Sequence, residues 1–123
     1  MLTPAAYGLG LLLDLFVLVI GARFLRQPRA AAIGYGVPAK PGGDAAYLEI
    51  KGLRDASTGI LGLALLAFAG AHAEAWFMVA AALVPLGDTL IVLRHGGTRA
   101  AAFGVHLATA AVVLVSAVPL FLA

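Results

Sequence analysis

Three aspartates, an arginine and a histidine interrupt segments that are otherwise apolar, and they define the chemistry open to this chain. Asp14 sits in Leu11-Leu12-Leu13-Asp14-Leu15-Phe16, and Arg54-Asp55 follow Gly52-Leu53. Asp88 closes Pro85-Leu86-Gly87-Asp88, and His106 lies in Phe103-Gly104-Val105-His106-Leu107. In hydrocarbon each such group costs about 2.5–3.5 kcal/mol on insertion scales, so it must turn inward toward a partner or a hydrated cavity. Carboxyls placed in unequal surroundings can divide the labour of general acid and general base. Asp55 or Asp88 is the expected acid. The other carboxylate, with Asp14, would stabilise developing positive charge or take the proton back. Arg54 would hold one carboxylate ionised, and His106 would relay protons.

The elements that must position these groups can be read from composition. The 123 residues are 63% apolar and carry 8 Lys+Arg, 6 Asp+Glu and no cysteine. Soluble domains run nearer 45–50% apolar and about 25% charged, so this chain belongs to the membrane class. The same figures exclude disorder, a disulfide scaffold and a nucleic-acid binder. Four stretches have the length of about 20 residues needed to cross a bilayer: about 4–24, 45–71, 75–93 and 100–122. Two of the three connections are short, which predicts an all-α, up-down four-helix bundle in one domain. All eight cations fall on one side of such a bundle, on connection 25–44, early in the second helix and around the third connection. The positive-inside rule makes that side cytoplasmic, with N- and C-termini outside, in a multi-pass plasma-membrane protein.

Depth sharpens the picture. At 1.5 Å per residue, Asp14 and Arg54-Asp55 stand about 13 Å above the inner boundary, Asp88 about 9 Å and His106 about 10 Å. Four helices thus deliver ionisable groups to one slab. On the second helix Tyr47, Lys51, Arg54, Asp55, Thr58 and Gly62 recur at spacings of three and four and share a face. Phe103 joins His106 on the inward side of the fourth helix. The connection 25–44 is long for a bundle, and its Gly34-Tyr35-Gly36-Val37-Pro38 segment is expected to lie over the pocket as a lid. Tyr35, Tyr47, Lys51, Thr58 and Phe103 are therefore the expected ligand-contacting residues. The bland alternative is an ion-pair network that only fixes helix register. His72 and Glu74 read as a polar outer turn and Trp76 as an interfacial anchor; no metal-ligand or nucleotide-binding motif occurs.

The order of motifs also carries a resemblance. A first span ending in Arg is followed by Tyr35-Gly36-Val37-Pro38. Then come Tyr47-Leu48-Glu49-Ile50-Lys51-Gly52-Leu53-Arg54-Asp55, Gly59-Ile60 and Pro85-Leu86-Gly87-Asp88. This resembles an uncharacterised family of small four-helix integral membrane proteins, the domain of unknown function four-two-six-seven. The resemblance implies only that Arg54, Asp55, Gly59 and Asp88 define the group. The roles of Asp14 and His106 rest on depth.

Two function classes are consistent with these features. One is a membrane enzyme isomerising or cyclising a lipophilic small molecule by cofactor-free acid–base chemistry. The other is a small proton-coupled carrier working as a homo-oligomer, a dimer. A lipid-binding or accessory membrane subunit is the non-catalytic alternative.

Overall fold

The computed structural model describes residues 2–37 and 45–123. Five helices account for nearly all of them. They are α1 (Leu2–Arg26), α2 (Pro28–Tyr35), α3 (Ala45–Phe68), α4 (Ala71–Arg94) and α5 (Arg99–Leu122). No strand occurs among the described residues. The four long helices overlay the four expected stretches, with α3 ending earlier. There Gly70 adopts a left-handed φ of 97°, which a side chain would resist. The expected connection 25–44 is partly helical: α2 begins at Pro28 and stops at Gly36, whose φ of 99° closes the helix. Pro38, the last residue of the expected lid, and the rest of the connection through residue 44 lie outside the described residues.

Three helices, Thr3–Arg26, Ala71–Arg94 and Arg99–Leu122, are long and apolar enough to cross a membrane. Their outward faces carry large apolar side chains such as Leu12 and Val19, each 65% exposed, and Val115, 70% exposed. A surface of that kind needs an apolar environment or a partner. The fourth long helix, α3, is set apart by Glu49, Lys51, Arg54 and Asp55 in its first half.

Helix α3 compensates by packing closely, antiparallel to α1. A Cβ at Gly21 would overlap the Ala56 amide nitrogen, and one at Gly52 would stand 2.7 Å from the Gly21 carbonyl oxygen. Further along the same seam, a Cβ at Gly59 would stand 2.6 Å from the Asp14 carbonyl oxygen. Only glycine permits backbones this close, the device by which helices associate where lipid removes any hydrophobic drive. The small-residue pair Thr58 and Gly62, four apart in sequence, thus lies beside an intramolecular seam.

Two apolar cores close the ends of the molecule. At one end Ala6, Leu66, Ala71, Ala75, Met78, Ala117 and Leu120 join α1, α3, α4 and α5. At the other, Phe24, Ala31 and Ala32 join α1 to α2, with Ile20, Tyr35 and Leu48 packed against them. Between the cores lie the polar groups and a cavity. Two irregularities occur at this level. Helix α4 is interrupted at Ala82, three residues before Pro85, whose ring displaces the preceding turn. Helix α5 contains a π-helical turn over Ala102–Leu107 that carries His106.

Candidate functional site

The polar residues divide into two groups. The first gathers under α2. Tyr35, at the C-terminal end of that helix, donates its phenolic hydrogen to Asp88 Oδ2, while its carbonyl oxygen lies 2.6 Å from His106 Nε2. His106 is buried, and its Nδ1 is 4.0 Å from the Asp88 carboxylate. The π-helical turn of α5 is what brings the imidazole under Tyr35, their rings 4.1 Å apart. Lys51 completes the group: its Nζ lies 2.5 Å from Asp55 Oδ2 and sits 4.1 Å from the Phe24 ring and 4.2 Å from the Tyr35 ring. One side chain of α2 thus ties together α1, α3, α4 and α5.

Burial pushes the Tyr35 phenol well above its ordinary value, and the Asp88 hydrogen bond and the Asp88 and Asp55 charges add to the effect. The fold therefore favours the neutral phenol. Its contribution is complete below the ordinary value of 10.0 and is lost only as pH rises beyond it. A spin label at exposed Ile33 is expected to stay immobile to about pH 10 and to loosen above it. In Tyr35→Phe the label should already be looser at pH 8, because losing the donor costs about 1–2 kcal/mol. Equal mobility in both proteins at pH 8 would remove Tyr35 as the anchor of α2.

The second group includes a residue expected elsewhere. Asp14, on α1, lies against Glu74 in the first turn of α4. Asp14 is 4% exposed and Glu74 fully buried. Asp14 Oδ2 and both carboxyl oxygens of Glu74 meet no donor from any other described residue, so the two acids bond to each other, one of them holding the proton. Room for this comes from α3: a Cβ at Gly62 would collide with the Asp14 carboxyl. Glu74 is two residues from His72 in sequence, which suggests an outer polar turn. Helix phase instead turns Glu74 inward with Ala71, Ala75 and Met78, while Trp76 faces out and His72 packs on Phe121. The spacing of Glu74 with Ala71 and Met78 is the signal that could have found it.

Between the two groups is a cavity of about 150 Å³, walled by all four long helices. Its lining is apolar (Leu13, Val17, Phe77, Val84 and Val113 among others) except for Asp14, Asp55, Thr58 and Thr109. A more open groove between α1 and α5 shares Leu13, Phe16 and Thr109 with it and passes Gly104, beside which a Cβ would meet nothing within 4 Å. The cavity thus adjoins a gap on the lateral surface.

Of the expected residues, the structure brings Tyr35, Lys51, Asp55, Asp88 and His106 together. Asp14 and Thr58 stand with Asp55 at the cavity, where neither Asp88 nor His106 reaches. Arg54 is exposed and makes no ion pair among the described residues; the partner of Asp55 is Lys51, one helical turn earlier. Tyr47 is 75% exposed and Phe103 46%, and both face away from the cavity. The single slab read from helix depth is therefore two polar groups with a cavity between.

Among curated proteins and among solved structures, nothing matches this chain. A family profile does, over residues 15–120, a span that holds Asp55, Asp88, His106 and the greater part of the glycine seam. The chain belongs to the family described as Domain of unknown function (DUF4267).

Proposed function

We propose that this chain is a multi-pass plasma-membrane protein, an up-down four-helix bundle with both termini outside, that isomerises or cyclises a lipophilic small molecule by acid–base chemistry. The observation that carries this reading is the cavity, whose apolar walls contain just two ionisable side chains in different surroundings. Asp55 has the Lys51 ammonium at 2.5 Å, while Asp14 faces another acid. Asp55 is the group that moves the proton. Asp55 gives its proton to the bound molecule as acid in one half of the reaction and takes one back as base in the other, while Lys51 fixes the orientation of its carboxyl. Asp14 stabilises positive charge as it develops on the bound molecule. The apolar walls exclude water and strengthen both effects. A molecule dissolved in the bilayer enters from the side, through the gap beside Gly104. The Tyr35–Asp88–His106 group lies on the cytoplasmic side of the reaction and seals the cavity from above.

The test uses the full chain in lipid nanodiscs, incubated in D₂O with the apolar extract of its source membranes. Mass spectrometry should find one lipophilic species that gains deuterium or is converted to an isomer. Asp55→Asn should slow that conversion by about a hundredfold or more, the usual weight of a positioned acid–base group. Conversion at the wild-type rate in Asp55→Asn, or no species altered by the wild type, would refute the assignment.

A further inference from the structure

A cavity wall can recognise an oxygen-bearing molecule through the hydrogens it gives or through the lone pairs it offers, and the two are not equivalent. Each polar side chain in this wall has its hydrogen committed inside the protein. Thr58 donates its hydroxyl hydrogen to the Arg54 carbonyl oxygen at 2.9 Å, and Thr109 donates to the Val105 carbonyl oxygen at 2.6 Å. The proton shared by Asp14 and Glu74 lies between the two acids, whichever of them carries it, and Glu74 is outside the lining. Until it takes up a proton, Asp55 in its ion pair with Lys51 only accepts. The Lys51 ammonium is turned toward the Phe24 and Tyr35 rings and is also outside the lining.

The backbone adds a further acceptor. Ala81 and Pro85 both line the cavity, and proline has no N–H to return to the carbonyl oxygen four residues before it. The other lining residues are apolar and stand on helices, whose N–H groups are bonded within them. Among the described residues of the lining, acceptors are open and no N–H or O–H donor is.

A bound molecule feels this asymmetry, because a polar atom moved from water into an apolar site without a partner is costly. A ketone, ether or epoxide oxygen would meet only lone pairs. A hydroxyl brings the missing hydrogen, and Asp55 is placed to take it, since Lys51 engages Oδ2 and leaves Oδ1. Such a bond to a carboxylate is about twice as strong as a neutral one. Size sets the other limit: an apolar cavity of about 150 Å³ accommodates a molecule the size of benzene.

We infer that the cavity selects a compact lipophilic alcohol or phenol, whose O–H donates to Asp55 and whose ring fills the apolar walls. The inference rests on the cavity reading above and adds the chemical class of its ligand.

Cyclohexanol and cyclohexanone have the same ring and differ in whether the oxygen carries a hydrogen. Their binding to the full chain in nanodiscs can be compared by calorimetry, with empty nanodiscs as the blank. The alcohol should bind about tenfold or more tightly, the weight of one hydrogen bond to a charged acceptor. In Asp55→Asn, whose amide adds two N–H donors, ketone binding should rise and the preference should fall several-fold. A second readout needs no variant. The infrared carbonyl stretch of cyclohexanone bound to the wild type should stay at its value in an alkane. A shift to lower frequency, as in an alcohol solvent, would reveal a donor in the cavity and overturn the inference. So would equal affinity for the two ligands, or a preference unchanged in Asp55→Asn. If neither ligand binds, this inference and the cavity reading fail together. Should turnover in D₂O depend on Asp55 while the two ligands bind alike, only the selection of a hydroxyl fails.

Discussion

Gly21→Ala is expected to destabilise the protein by about 2–3 kcal/mol, although it adds a single methyl group to a helix and raises helix propensity. The added Cβ would overlap the Ala56 amide nitrogen and lie 2.6 Å from the Gly52 carbonyl oxygen. Both are backbone atoms of α3, and no rotamer change can move them aside. The two helices must separate, and separation weakens the contacts at Gly52 and Gly59 as well, because all lie on one seam. The propensity gain of about 1 kcal/mol is the smaller effect. Gly8→Ala isolates that gain: Gly8 lies in the same helix with nothing within 4 Å of a Cβ, and its substitution should stabilise. Unfolding of both variants in mixed micelles, followed by circular dichroism, measures the contrast. If the two changes have the same sign, the seam does not hold α1 against α3.

Glu74→Met should have the opposite effect and make the ligand-free protein more stable by about 1–2 kcal/mol. Two contributions compete. As an acid in the first turn of α4, Glu74 gains about 0.3–1 kcal/mol from the helix dipole. As a fully buried side chain whose oxygens meet no donor beyond the neighbouring Asp14 carboxyl, it costs about 1–3 kcal/mol. Burial outweighs the dipole. Methionine has similar length, no polar atom to satisfy and enough flexibility to fill the space beside Met78 and Ala75. A stabilised variant would show that stability is given up at this position by burying two acids side by side. A destabilised Glu74→Met would mean that the hydrogen bond between Glu74 and Asp14 holds α4 against α1 by more than the burial costs.

The contrast between these residues shows which features are legible in a sequence. Long apolar runs with charges between them place the four long helices to within a few residues, because hydropathy and helix length are local properties. The inward turn of Asp14, Asp55, Asp88 and His106 is legible too, since an ionisable group in an apolar run has few other places to go. Their grouping is not. Depth counted along each helix ignores the break of α4 at Ala82 and the extra residue of the π turn in α5, and each of these rotates the rest of its helix. Glu74 is masked by its chain neighbours His72 and Trp76, which do face outward. Arg54 and Lys51 cannot be separated by face alone, and side-chain reach gives Asp55 to Lys51. The docking of Tyr35 comes from long-range contacts that no local pattern contains.

On the proposed topology, in which α3 also crosses the bilayer, this helix has a consequence for how the protein is made. Three of its residues, Lys51, Arg54 and Asp55, each resist transfer from the translocation channel into lipid by up to about 2.5–3.5 kcal/mol when deep in the bilayer. The apolar second half of α3 offsets part of that resistance, but this helix, unlike α1, is a poor candidate for entering lipid alone. Helix α1 already carries the complementary groove when α3 emerges, and the glycine seam lets the two backbones meet at once. The unit of insertion is then a hairpin of α1 and α3, with the nascent chain supplying its own first helix as the solvent for its second.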